Sequence, residues 1–535
     1  MLPLASAVES FTDEERRQLA PYFTNLDGHV FALVNLPDTV KGALFARYSR
    51  SAKSLRRLFL DEFAGGVSGS ASGDGSVGIA RAEKLYAKVF SEYGDDSVAQ
   101  LGGAHIACEY VSNLLTKVLE WGRLMAYLEQ STRYVPYTDT LHGRWRYHIP
   151  EEIPPGAVRD SYVRTMDAAF DTYARWIAPM QEYFARRYPR SGGDSEGVHR
   201  AAIRAKALDT LRGMLPAATQ SNLGIYGTGQ AYEALLLRMF ASPLSEVRHC
   251  AAQLLTELRK VIPAFFVRVD QPDRGGRWSE YLAETRAMTQ ATAAELLKAE
   301  SPEARPEVTL SDFDPDGETK IVAAALYAVS DLPDDQLLRI ASAMTADERA
   351  RVLRAYIGNR TNRRHRPGRA FERTTYRFDI LTDYGAFRDL QRHRMLTLEW
   401  QPLSPAHGFT EPEAIGDAGA QDDWLRVVEA SSNLYDQLVS AGCRTVAPYA
   451  VAMAYRVRFY MEMNAREAMH VIELRTAPQG HPAYRRVCQQ MHTLIAERAG
   501  HRAVAAAMTF ADHSQVELER LSSERALEKK RLTRP

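Results

Sequence analysis

Apolar residues recur at helical spacing along most of this chain, and only a few stretches depart from that period. Thr12-Asp13-Glu14-Glu15 joins a cap residue to early acids, which marks a helix start, and the helical reading extends over 12–62. Helices are also predicted over 79–92, 156–188, 319–329, 334–356 and 423–441. The mostly apolar segment Ala99 to Tyr127 reads as one or two buried helices. Residues 199–260 read as helix interrupted near Pro216 and Gly224 to Gly229, and 446–475 as one long helix. A last helix runs into the charged tail Glu517 to Arg534. Arg373 to Leu381 alternates, with β-branched and aromatic residues, and reads as a strand; Arg144 to Ile149 reads as a shorter one. Gly65 to Gly78 is a Gly/Ser loop, and Tyr93-Gly94-Asp95-Asp96-Ser97 a capping turn.

Length then divides the pattern. The chain has 535 residues, and single cores rarely grow beyond about 250–300. From Ala299 to Pro315 the composition turns to Pro, Glu and Asp, so domains are expected at 1–300 and 301–535. Lys+Arg and Asp+Glu are both 67, so no global field recruits nucleic acid or an anionic membrane, and any anion site must be a local cluster. Four cysteines, none spaced as CxxC, argue against a disulfide scaffold and fit a reducing cytosol. The first ten residues lack the pattern of a signal peptide, and no apolar run reaches the roughly 20 residues of a spanning helix.

The pattern also repeats, with a period of about 230–270 residues, too long for a solenoid. In each half an apolar segment runs into an Arg, a polar loop follows, and a long helix comes last. The parts are Leu114 to Arg123, Glu129 to Tyr134 and Leu211 to Met239, then Phe387 to Arg394, Trp400 to Ser404 and Ala447 to Arg475.

Several clusters carry candidate chemistry. Arg392-His393-Arg394 offers planar forks for phosphate beside an imidazole, or is a solvated basic turn. Glu129-Gln130-Ser131-Thr132-Arg133-Tyr134 can clamp a phosphate and read an amide edge, or is a capped turn. Asn464, Arg466, His470 and Arg475 fall in one predicted helix, with Asn464 and Arg475 on a shared face. The run Arg360, Arg363, Arg364, His365, Arg366 and Arg369 reads as a surface anion patch rather than a nucleic-acid site. His105, Cys108 and Glu109 make a weak metal cluster, better read as a core histidine, and no metal site is expected.

These motifs resemble those of the flavin-dependent thymidylate synthases. That signature is Arg-His-Arg, seven residues, Ser, and then a further Arg-Tyr. The second half keeps Arg392-His393-Arg394 but has Pro402 and Ser404 at the Ser and Arg positions. The first half keeps Ser131 and Arg133-Tyr134 but has Trp121-Gly122 in place of Arg-His. The same complementarity holds for Asn464-Ala465-Arg466 with Arg475 against Thr228, Gln230 and Met239, and for Arg212 with Pro216 against Pro448 and Ala452. Phe371-Glu372 resembles the family's strand entry. Asp389 stands where the family has Gln.

The resemblance implies an α+β fold duplicated in tandem, helix-rich with a small antiparallel sheet in each half. It implies reductive methylation of dUMP to dTMP, with FAD, NADPH and methylenetetrahydrofolate, in composite sites of a homodimeric pseudo-tetramer. The implied catalytic residues are Arg392 and Ser131. The implied nucleotide set is Glu129, Gln130, Ser131, Arg133, Arg212 and Arg475. The implied flavin set is Arg392, His393, Arg394, Asn464, Arg466 and His470. Two alternatives stay open: a flavoenzyme modifying carbon 5 of another pyrimidine nucleotide, and an inactive descendant that binds nucleotide or RNA. The setting implied is cytoplasmic, with no membrane.

Overall fold

A computed structural model describes residues 9–48, 51–64 and 100–533. The expected loop at 65–78, helix at 79–92 and turn Tyr93 to Ser97 lie outside them. Two compact units are present: Met1–Cys108 with Leu124–Leu128 and Leu223–Glu300, and Glu109–Arg123 with Glu129–Asn222 and Ser301–Pro535. The second unit therefore draws on both halves of the sequence.

The fold is helix-rich with small sheets, as expected. Strand Gly103–Ser112 leads into helix Asn113–Leu119 and strand Met125–Glu129. Helices Ala157–Arg187 and Glu196–Leu211 come next, then strand Gln220–Thr228 and helix Gly229–Phe240. The second half repeats the series with strand Thr375–Asp383, helix Tyr384–Leu390, strand Thr397–Trp400, helix Gln421–Ser440, strand Arg456–Asn464 and helix Ala465–Arg475. The three strands of the first series stand in the order first, third, second. Those of the second stand in the same order, paired antiparallel, with Val308–Phe313 added at the Thr375–Asp383 edge.

The side chains at the joints explain the breaks. Ser112 and Asp383 accept from the backbone N–H groups of Leu115 and Ala386, and Thr228 and Asn464 from those of Ala231 and Glu467. Each caps a helix where a strand ends. These joints correct the sequence reading in three places. Ala99 to Tyr127 holds a strand, a short helix and part of another strand; the break inside 199–260 is a strand; and 446–475 is strand then helix. The last case had a visible signal. Arg456 to Asn464 alternates partly exposed and buried residues, with Val457, Phe459, Met461 and Met463 inward. Apolar density suggested a helix, but the period is two. Asn464 and Arg475 consequently do not share a helix face: one caps the helix and the other ends it. The helix expected over 12–62 is also divided, although the capping box of Thr12 and Glu15 forms as read.

Inside the second unit the two halves meet about a local pseudo-two-fold. Pro216 bridges its own counterpart, Ala452. Ala217 N–H donates to Val451 O (2.8 Å) and, reciprocally, Met453 N–H to Leu215 O (2.9 Å). Ala218 N–H donates to Tyr449 O and Ala454 N–H to Gly213 O, both at 3.0 Å. At a constant offset of 236 residues each bond of a pair is the image of the other.

Candidate active site

Helices Asn113–Leu119 and Tyr384–Leu390 are counterparts, and they are tied together within the second unit. Tyr384 Oη donates to Asn113 O (3.1 Å), and Gln391 Nε2 to Lys117 O (3.0 Å). Lys117 and Arg388, which occupy equivalent positions, both reach Glu129. Arg388 Nη2 donates to Glu129 Oε1 at 2.8 Å and Lys117 Nζ to Oε2 at 3.4 Å; Arg392 Nη2 also donates to Oε2. The Glu129 carboxylate is fully buried. Burial alone would raise its pKa, but Arg388, Lys117 and Arg392 hold it well below the usual carboxylate range. Glu120, which also binds Lys117, is pushed up by burial and by the charge on Glu129.

The Arg392–Glu129 pair has a pseudo-symmetric image. The counterpart of Arg392 is Trp121 and that of Glu129 is Trp400. Their rings meet edge to face at 5.9 Å, and Trp121 Nε1 donates to Leu398 O. One copy of the site keeps an ion pair, and the other has become an aromatic contact.

A second group of cations lies beside the first. Arg133 holds Asp209 with both edges of its fork (Nε at 2.8 and 3.0 Å, Nη2 at 2.7 Å) and donates to Tyr484 Oη at 2.9 Å. Burial works against the Arg133 charge, and Asp209 more than restores it. Arg475 lies over the same Tyr484 ring at 5.4 Å. Arg212 Nη1 is 3.4 Å from Asp389 Oδ2. Burial would raise Asp389, yet Arg212, Arg392, Arg475 and Arg133 together drive it far below an ordinary aspartate.

Two imidazoles flank Glu467. His393 is buried, and burial pulls it down to about 4, with Glu467 opposing and Arg475 assisting. Arg475 Nε donates to His393 Nε2 at 2.8 Å, which leaves the ring proton on Nδ1, 3.8 Å from Glu467. His470 Nδ1 lies 3.3 Å from both Glu467 oxygens. His393, Glu467 and His470 are close enough to hold a cation. With Arg475 donating to Nε2, however, the neutral His393 ring carries its proton on Nδ1, so in this arrangement neither nitrogen has a free lone pair for an ion.

The structure thus brings Glu129, Arg133, Arg212, Arg392, His393, His470 and Arg475 into one region. Other expected residues are engaged locally or lie apart. Ser131 Oγ accepts from Arg133 N–H (3.2 Å) within its turn. Gln130 N–H donates to Asn222 O, and its Oε1 is buried without a partner. Asn464 is a helix cap, and Arg466 donates to Pro367 O (2.9 Å). Arg394 is exposed. Of the basic run, Arg360 is buried on Glu473 with two bonds of 2.7 Å, which removes it from any surface patch. His105 lies on a strand, its ring 4.5 Å from that of Tyr226 and tilted by 38°.

Comparison with known proteins gives the arrangement a lineage. The model of the family described as thymidylate synthase complementing protein matches residues 46–264 and again 309–499. The chain belongs to this family. Each matched segment holds one copy of the strand–helix–strand series, so the tandem duplication is a family domain used twice. A UPF0159 protein of Chlamydia muridarum is 37% identical over 520 residues, covering 96% of this chain and 98% of that one. A flavin-dependent thymidylate synthase of Clostridium tetani is 24% identical over 183 residues, covering 34% of this chain and 68% of that one. Among solved structures, a UMP/dUMP methylase PolB from Streptomyces cacaoi bound with 5-Br dUMP is 21% identical. That match covers 38% of this chain and 97% of that chain, with a TM-score of 0.29.

Sequence reasoning missed several residues that engage the expected ones in this family member: Lys117 and Arg388 on Glu129, Glu120 on Lys117, and Asp209 and Tyr484 on Arg133. A signal existed for some. Lys117 with Glu120, and Arg388 with Arg392, are spaced three and four apart inside apolar segments, where a charge must find a partner. Asp209 and Tyr484 are distant in sequence from Arg133 and carry no such signal.

Proposed function

We propose that this protein is a flavin-dependent enzyme that methylates carbon 5 of a pyrimidine nucleotide. The primary reading is dUMP to dTMP with methylenetetrahydrofolate and NADPH, in the cytosol. The observation that carries it is the Glu129–Arg392 contact, which joins the two surviving pieces of a split motif in one chain. Family membership and the name of the Clostridium tetani relative support it.

The donor set fits a flavin. Arg392 Nε and Gln391 Oε1 are buried without a hydrogen-bond partner, and among the described residues Arg394 makes no ion pair. Arg392, Arg394, His393, Asn464, Arg466 and His470 would hold the cofactor, and bound flavin would supply the reducing equivalents and the one-carbon route. The chain's own residues then bind and orient. Arg133, Arg212 and Arg475, with Gln130 and Ser131, would take the nucleotide. Glu129, with both oxygens on cations, would position Arg388 and Arg392 rather than touch the base. Neutral His393 would place Arg475. The Trp121–Trp400 contact supports one such site per chain; a homodimer is the assembly that the family resemblance implies.

Purified or reconstituted protein should show flavin absorbance, and the gene should rescue a thymidine-requiring host. Absence of reconstitutable flavin would sink the enzyme reading. Ser131→Ala and Arg394→Ala should each impair nucleotide or flavin binding; loss in only one would overturn the composite site. A second reading, another pyrimidine nucleotide as substrate, is favoured by Asp389 among the arginines.

A further inference from the structure

Of the five guanidinium groups gathered here, four are held by close hydrogen bonds. Arg133 has Asp209, Arg388 and Arg392 share Glu129, and Arg475 donates Nε to His393. Arg212 is different. Its side chain is 4% exposed, its ion partner Asp389 stands at a long 3.4 Å, and its Nη2, like the Nε of Arg388 and of Arg392, is buried without a partner. Arg212 also lines a cavity of about 410 Å³, together with Asp209, Asp383, His481, Lys206 and Trp424. A buried guanidinium nitrogen with no acceptor is costly unless a ligand or water completes it.

Asp389 is the group that already competes for this donor. It lies on helix Tyr384–Leu390, three residues before Arg392, with a side chain 15% exposed. Its position is fixed by the same helix that delivers Arg388 to Glu129. We propose that Asp389 is a specificity-determining residue: an internal carboxylate that occupies the arginine cluster as a counter-anion and weakens binding of a phosphate monoester there. A phosphate brought to Arg212 must draw it from Asp389 and sit beside a like charge. The ligand's ring and sugar, with no such charge, meet no corresponding penalty. Asp389 therefore shifts recognition from the phosphate to the rest of the ligand. The pyrimidine part of this statement rests on the function proposed above; the phosphate part does not.

The test uses the full chain as wild type, Asp389→Asn and Asp389→Glu, with inorganic phosphate, dUMP and 2′-deoxyuridine titrated by calorimetry. Asp389→Asn should bind inorganic phosphate at least about tenfold more tightly than wild type. Its dUMP-to-deoxyuridine affinity ratio should rise by a similar factor, while deoxyuridine affinity itself moves less than about threefold. Asp389→Glu should keep the wild-type ratio, which a purely structural role for this side chain would not predict. Unchanged or weaker phosphate binding in Asp389→Asn overturns the proposal. A gain for phosphate with no binding of either uridine ligand upholds Asp389 and overturns the pyrimidine reading. Should Asp389→Asn fail to fold, wild type alone decides: a dUMP-to-deoxyuridine ratio above about 30 overturns the proposal, and a lower ratio supports it.

Discussion

Arg133, Asp209 and Tyr484 show how much of this site is structural electrostatics. The pair is buried and bidentate, so removing one charge strands the other. Asp209→Ala is expected to destabilise the fold by about 3–5 kcal/mol in urea unfolding. Tyr484→Phe, which takes only one acceptor from Arg133, should lose about 1–3 kcal/mol. His393 makes a pH prediction. Its ordinary value is 6.5 and its folded value about 4. As pH falls through 6.5 the unfolded chain takes up a proton that the folded chain refuses, so this stability is full above 6.5 and is lost toward 4. The loss at this residue is on the order of 3 kcal/mol. His481, pulled by burial and Arg212 to about 3, acts in the same direction. Denaturation midpoints measured from pH 8 to 4 should fall across this window, and His393→Asn should flatten the slope. Residue identity foretold Arg133, Arg212, Arg392 and Arg475 but not Lys117 or Arg388, and it gave no pairing: Asp209 and Tyr484, the partners of Arg133, stand 76 and 351 positions away.

At the scale of elements, the strand-to-helix joints matter most. Asn464 closes strand Arg456–Asn464 and caps helix Ala465–Arg475, whose first turn carries Glu467 and whose end carries Arg475. Asn464→Ala should cost about 1 kcal/mol of stability by thermal melting. It should also weaken the expected flavin more than Thr228→Ala does, because the Thr228 joint precedes a helix with Met239 in place of Arg475. Helices Ala157–Arg187 and Gln421–Ser440 and strand Thr375–Asp383 were legible from their periods, within a few residues. The strands Gly103–Ser112 and Gln220–Thr228 were not. Both are flanked by helix-like apolar sequence, and pairing with neighbours, which no local period reports, decides their state.

For the whole molecule, the reciprocal ladder around Pro216 and Ala452 makes each half the other's support. Residues 301–535 expressed alone would expose the Val451 to Ala454 backbone groups that Leu215, Ala217 and Gly213 satisfy. That fragment should aggregate, and co-expression with 1–300 should restore a soluble complex, readable by size-exclusion chromatography. The Trp121–Trp400 image of Arg392–Glu129 carries a stoichiometric expectation: one flavin and one nucleotide per chain at saturation by titration, not two.

The sequence by itself determined the helix-rich character, the duplication, and the complementary loss of motif residues between halves. These are local or tandem features, written in composition, spacing and residue identity. Tertiary structure decided which carboxylate each arginine meets, that Glu129 is buried on three cations, and that an aromatic pair stands at the pseudo-symmetric image of the Arg392–Glu129 contact. A charge in a buried place takes whatever partner the packing brings within a few ångströms. For Arg388, Arg392 and Arg212 that partner comes from the other half, across a pseudo-two-fold that no linear pattern displays.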